Sequence, residues 1–166
     1  MRLRSHTSFT EAALLCFAPQ LKIRIWGHGG IVDDVASHPS AIAGIQAMND
    51  QHGILVDTLN SLRHQLSQGE DRERMNEQIV RLVEFTSMHF GCEESLMRRY
   101  EFPGLNEHRA AHRTLMIQMR EAANSAEFVD LTELDRMLAY VRGQYVDHIQ
   151  QLDREYSDWL NSKGVY

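Results

Sequence analysis

From Ser40 onward the apolar residues recur at alternating intervals of three and four, a spacing that gathers them on one face of an α-helix. Ile45, Met48, His52, Leu55, Leu59, Leu62 and Leu66 form the first such stripe. Ser40, after Pro39, suits its N-cap, and Gly69 its C-terminal stop. A second stripe starts near Asp71 and runs through Met75, Ile79, Leu82, Thr86, His89, Glu93, Leu96 and Tyr100, until Phe102-Pro103-Gly104 ends it. The third is Leu105, His108, His112, Leu115, Met119 and Ala122. The fourth opens on Asp130-Leu131-Thr132-Glu133, a sequence of the capping-box type. It continues through Leu134, Leu138, Val141, Tyr145, His148, Leu152, Tyr156 and Trp159 to a stop at Gly164.

No segment alternates with the period of a strand. Four amphipathic helices with short connections predict an all-α protein, an up-down-up-down antiparallel four-helix bundle over residues 40–164. Pro19, Pro39 and Pro103 all fall outside the periodic segments, as long helices require. Residues 1–39 do not continue the pattern and are expected to form an arm outside the bundle, a candidate contact for a protein partner. Arg2, Arg4 and the apolar run 12–18 have the outline of a secretory leader. Glu11 interrupts that outline, no A-x-A site follows, and the run is too short to span a bilayer.

At 166 residues the chain suits one domain with a real core. A net charge of -6 without a polybasic run excludes nucleic acid as a partner. Cys16 and Cys92 make neither a C-x-x-C pair nor a disulfide framework, which fits a reducing, cytoplasmic setting.

The anomaly is histidine. Each of the four stripes carries it, at His52, His89, His108 with His112, and His148. One half-buried histidine needs no explanation, but five core-facing imidazoles each need a buried partner, at about 1–3 kcal/mol for each group left unsatisfied. A shared metal centre satisfies all of them together. His6, His28, His38 and His64 lie off the stripes and are assigned no such role. His89 and Glu93 are four apart, as are His108 and His112, so each pair occupies one helix face, about 6 Å apart along the axis. Imidazoles and carboxylates without a cysteine ligand suit first-row metals better than a structural zinc, and bridging carboxylates in a bundle core are the pattern of a di-iron centre. A second carboxylate must come from the fourth helix. Glu155 shares the face of His148 but lies about 10 Å along the axis, while Asp153 is nearer but rotated off the stripe. Geometry favours Asp153 without closing the choice.

Taken together, His52, the run H-F-x-x-E-E at 89–94, H-x-x-x-H at 108–112 and H-I-x-x-x-D at 148–153 resemble the ligand set of hemerythrins, above all the bacterial hemerythrin-like domains. The resemblance covers roughly residues 40 to 160. It implies an oxygen-binding centre of two iron ions joined by an oxo or hydroxo bridge. On that resemblance His108, His112 and His148 hold one iron, His52 and His89 hold the other, and Glu93 and Asp153 bridge them. The iron with two histidines is then five-coordinate and open to dioxygen, with nitric oxide as a second candidate ligand.

Phe90 and Ile149 keep the apolar pocket of the family, while Asn49, Gln144 and Tyr145 stand where aspartate, tryptophan and leucine are common. Tyr145, one turn before His148, is expected to point into the bundle near the metals. Its hydroxyl either packs against a carbonyl or carboxylate, or reaches the open coordination position. Reversible oxygen carriage, storage or sensing, without catalytic residues, is the leading expectation. Oxidase or peroxidase chemistry at the same centre is a competing class, and ligand-dependent signalling to a separate protein another.

Overall fold

In the computed structural model, residues 46–69 and 71–165 are described. The arm 1–39, the Ser40 cap and Ile45 lie outside the described residues, as do Cys16, His6, His28 and His38. Four long helices follow one another: α1 Gln46–Gln68, α2 Arg72–Arg99, α3 Leu105–Ser125 and α4 Leu131–His148. A π-helical turn, Ile149–Asp153, joins α4 to a last helix, α5 Arg154–Ser162. No strand occurs among the described residues, and no helix there is long and apolar enough to cross a membrane. Connections this short reverse the chain each time, so neighbours in sequence pack antiparallel. α4 closes the ring against α1.

The helix ends follow the local chemistry of the sequence. Gly69 ends α1 in the left-handed region at φ 71°, where it has no Cβ to clash. The Asp71 carboxylate accepts from the Glu73 N–H at 3.1 Å, and that of Asp130 from the Glu133 N–H at 2.8 Å. Only half of the capping box forms at Asp130, because the Glu133 side chain pairs with Arg136. Gly104 opens α3 where a Cβ would meet the Phe102 ring at 2.8 Å, so a larger residue would require that ring to shift.

Two apolar clusters fill the bundle. The larger contains Leu55, Leu59 and Leu62 of α1, Ile79 and Leu82 of α2, Leu115 and Met119 of α3, and Leu134 and Leu138 of α4. The smaller, toward the other end, gathers Met48, Cys92, Leu96, Met97, Tyr156, Leu160 and Val165. Between them, on every long helix, lie the buried polar residues His52, His89, Glu93, His108, His112, His148 and Asp153.

The fourth stripe needs a correction. Read as one continuous α-helix, it places Leu152 and Trp159 inward. Both are half-buried instead, and Asp153 and Leu160 take their places at 1% exposure each. The π-helical turn is the cause. Its hydrogen bonds close over five residues, so it takes up one residue more than an α turn, and the inward face moves on by one position. His148 and Asp153, five apart, thereby share a face, and α-helical spacing then resumes through Tyr156 and Leu160. Trp159, displaced outward, donates its indole N–H to the Tyr100 carbonyl at 2.9 Å.

Leu62 is fully buried in the larger cluster, whereas Ile117 is 56% exposed. Leu62→Ala is therefore expected to lower unfolding free energy by about 2–5 kcal/mol through lost burial and a cavity. Ile117→Ala should stay within about 0.5 kcal/mol. Urea denaturation of both variants checks the pair, and equal losses would contradict this assignment of the core.

Candidate metal centre

Seven polar side chains meet in the layer between the apolar clusters, and each is 5% exposed or less. α1 contributes His52, α2 His89 and Glu93, α3 His108 and His112, and α4 with the π-helical turn His148 and Asp153. The two four-residue spacings keep His89 beside Glu93 and His108 beside His112, as helical geometry dictates. Glu155 is exposed and plays no part. His64 is exposed as well.

Each carboxylate divides its oxygens between two sets of imidazoles. Glu93 Oε1 lies 3.3 Å from His52 Nε2 and 3.5 Å from His89 Nε2. Glu93 Oε2 lies 3.2 Å from His112 Nε2 and 3.8 Å from His108 Nε2. Asp153 repeats the division, with Oδ2 at 3.2 Å from His52 Nε2 and Oδ1 at 3.1 Å from both His108 Nε2 and His148 Nε2. One side of the centre thus has two imidazoles and the other three.

Hydrogen bonding accounts for only part of this crowding. His52 Nε2 bonds Glu93 Oε1, but His89 Nε2, His108 Nε2, Glu93 Oε2 and both Asp153 oxygens are buried without a hydrogen-bond partner. His112 Nε2 and His148 Nε2 face each other at 3.1 Å. The outer ring nitrogens explain two of these contacts. His89 Nδ1 sits 2.9 Å from Gln51 Oε1 and His112 Nδ1 3.2 Å from Glu94 Oε1, and both oxygens can only accept. With Nδ1 as donor, a neutral imidazole turns the lone pair of Nε2 inward. Lone pairs and carboxylate oxygens aimed at common points, more than at one another, fit a cation.

The electrostatics point the same way. Burial disfavours charge on every group here. Against it, the Asp153 and Glu93 carboxylates hold both His52 and His108 up at about 9. Burial wins at His89, which is pushed down to about 4 in spite of Glu93. Burial raises Glu93, and burial with the Glu93 charge raises Asp153, yet the surrounding imidazoles hold both well below the usual carboxylate range. The two carboxylates thus favour positive charge at His52 and His108, and a cation held among these donors would supply it. Two groups can hold such an ion, Glu93, His108, His112, His148 and Asp153 in one and His52, His89 and Glu93 in the other. No cysteine joins either, so the donor set is imidazole and carboxylate, which suits iron among first-row metals.

Of the expected pocket residues, Phe90 stacks on His112 with ring centroids 3.7 Å apart. Ile149 is fully buried in the larger apolar cluster. Tyr145 is buried beside His52 and His89. Asn49 is half-buried and Gln144 exposed. Gln51 was not legible as part of the site, and Glu94 appeared only as the last residue of the 89–94 motif, without a role. Each directly neighbours a stripe residue, and that adjacency was the signal. Glu94 is also held by Arg109, whose Nε lies 3.0 Å from its carboxylate.

A four-helix bundle with a buried histidine–carboxylate metal centre is the class that this architecture defines. Comparison with known proteins narrows it. The hemerythrin HHE cation binding domain matches residues 43–160, and the chain belongs to the hemerythrin family. It is 28% identical to the bacteriohemerythrin of Methylococcus capsulatus over 119 residues, 69% of this chain and 86% of that protein. Identity to the bacteriohemerythrin of Stenotrophomonas maltophilia is 29% over 133 residues, 70% of this chain and 86% of the relative. That of Pseudomonas aeruginosa is 32% identical over 78 residues, 47% of this chain and 50% of the relative.

Without a metal ion, buried acceptors face one another, so loading should stabilise the fold strongly. Chelation is expected to cost several kcal/mol, because metal binding by donors that only the folded chain brings together is linked to folding. Thermal melts with and without metal read this directly, and coincident melting temperatures would contradict it.

Proposed function

We propose that this protein holds two iron ions in the buried layer and binds dioxygen reversibly at one of them. The observation that supports this reading is the division of each carboxylate between the two-imidazole and three-imidazole sides. A single ion would not need both oxygens of both carboxylates turned to different imidazoles. In this reading His52 and His89 hold one iron, His108, His112 and His148 hold the other, and Glu93 and Asp153 bridge them. The two-histidine side receives four protein donors and the three-histidine side five. The side with fewer protein donors would be the one with room for an exogenous ligand.

When bound, the two irons supply the electrons that dioxygen takes up and gives back. The protein supplies the rest. Gln51 and Glu94 fix the ring orientation of His89 and His112, as partners of metal-bound imidazoles do. Phe90, Ile149 and the larger apolar cluster keep water away from the centre, which favours return of the ligand over its chemical loss. Carriage, storage and sensing all draw on this same binding step.

Protein expressed in iron-replete medium should contain about two irons per chain, as a seven-ligand set for two six-coordinate sites requires. The reduced form should show an absorption band that comes and goes with oxygen. One zinc and no iron, or irreversible bleaching on first contact with air, would overturn the reading. Glu93→Ala and Asp153→Ala should each lose iron from both sides, because each removes a bridge. Glu155→Ala should keep both irons, and metal analysis of the three variants separates these outcomes.

A further inference from the structure

Tyr145 carries a buried polar group to which the reading above gives no task. It lies on α4 one turn before His148 and is 2% exposed. Its ring stands edge-on to His52 and His89, with centroids 6.2 and 6.4 Å away, and is tilted against Phe90 at 6.3 Å. Both of those imidazoles belong to the two-histidine side. The hydroxyl is buried and has no hydrogen-bond partner among the described residues. A phenol O–H can donate a hydrogen bond, and here it has none to make within the described residues. The side chains of Phe90 and Ile149, the other two pocket residues, have no polar atom, so within this trio the hydroxyl is the sole side-chain donor.

We propose that the Tyr145 hydroxyl donates a hydrogen bond to the small ligand bound on the His52–His89 side. The pocket then favours ligands with an acceptor atom next to the iron-bound one, as in azide or peroxide-like anions, over single-atom anions such as chloride. This rests on the di-iron reading, and the experiment keeps the two apart. Iron content is measured first in the diferric holoprotein and in Tyr145→Phe and Tyr145→Leu. Failure to find two irons in the unsubstituted protein sinks the di-iron reading, whatever Tyr145 does. Azide is then titrated into each protein, and its stretching band is recorded in H2O and in D2O.

With iron content equal, Tyr145→Phe is expected to bind azide about ten- to a hundredfold more weakly, the loss that a charge-assisted hydrogen bond corresponds to. The azide band should shift in D2O in the unsubstituted protein and not in Tyr145→Phe. Chloride affinity should change little. Tyr145→Leu, which restores an aliphatic wall, should behave like Tyr145→Phe and serves if the latter fails to fold. Equal azide affinity with the same isotope response in all three proteins would overturn the proposal. So would an isotope-insensitive band together with loss of iron in Tyr145→Phe, because that places the hydroxyl on a bridging carboxylate.

Discussion

Glu93 and Asp153 are ionised carboxylates at 0% and 1% exposure, and keeping that charge out of water is the condition on which the rest of the bundle is built. An isolated carboxylate in such a place would take up a proton or force the core open. Here five imidazoles surround the pair, and the carboxylates hold two of them, His52 and His108, up at about 9, so the layer favours positive charge beside the negative. Compensation of this kind depends on distance. The contacts of 3.1–3.8 Å require all four long helices to be held in one relative placement.

That placement comes from the apolar clusters on either side of the layer. The larger draws leucine, isoleucine, methionine and valine from α1 to α4, and the smaller packs Met48, Leu96, Met97, Tyr156 and Leu160 below it. The apolar stripes therefore stabilise the fold and also hold apart groups that would otherwise hydrate. Gln51 and Glu94 extend the same control outward from the centre, since each fixes one imidazole from behind.

The layer is not symmetric, and the asymmetry is where its chemistry lies. On the three-imidazole side, Phe90 stacks face to face on His112. On the two-imidazole side, the neighbour is a phenol set edge-on to both rings. Phe90 reaches both sides, since it also lies 5.6 Å from His89, whereas the phenol borders the two-imidazole side. The chain's membership of the hemerythrin family, whose domain is described as cation binding, agrees with a donor set of this kind.

Much of the fold was legible in the order of residues. The stripes from Met48 to Leu66 and from Met75 to Leu96 are continuous α-helices, and in these the position along the chain dictates the face. The same rule made His89 with Glu93, and His108 with His112, visible as pairs. Asp153 was different. On an α-helix it is rotated off the face of His148, so the spacing favoured it over Glu155 without closing the choice, and the resemblance to a family strengthened it. The tertiary structure decides where each of them points. The π-helical turn from Ile149 to Asp153 carries Asp153 inward and leaves Glu155 outside. Nothing local demands that turn, since Ile149-Gln150-Gln151-Leu152 would also sit in an ordinary α-helix. What accompanies it are contacts from other helices: His52 of α1 and His108 of α3 beside the carboxylate. Periodicity thus determined which residues share a helix face, whereas the local change of helix pitch was settled by partners far away in the chain.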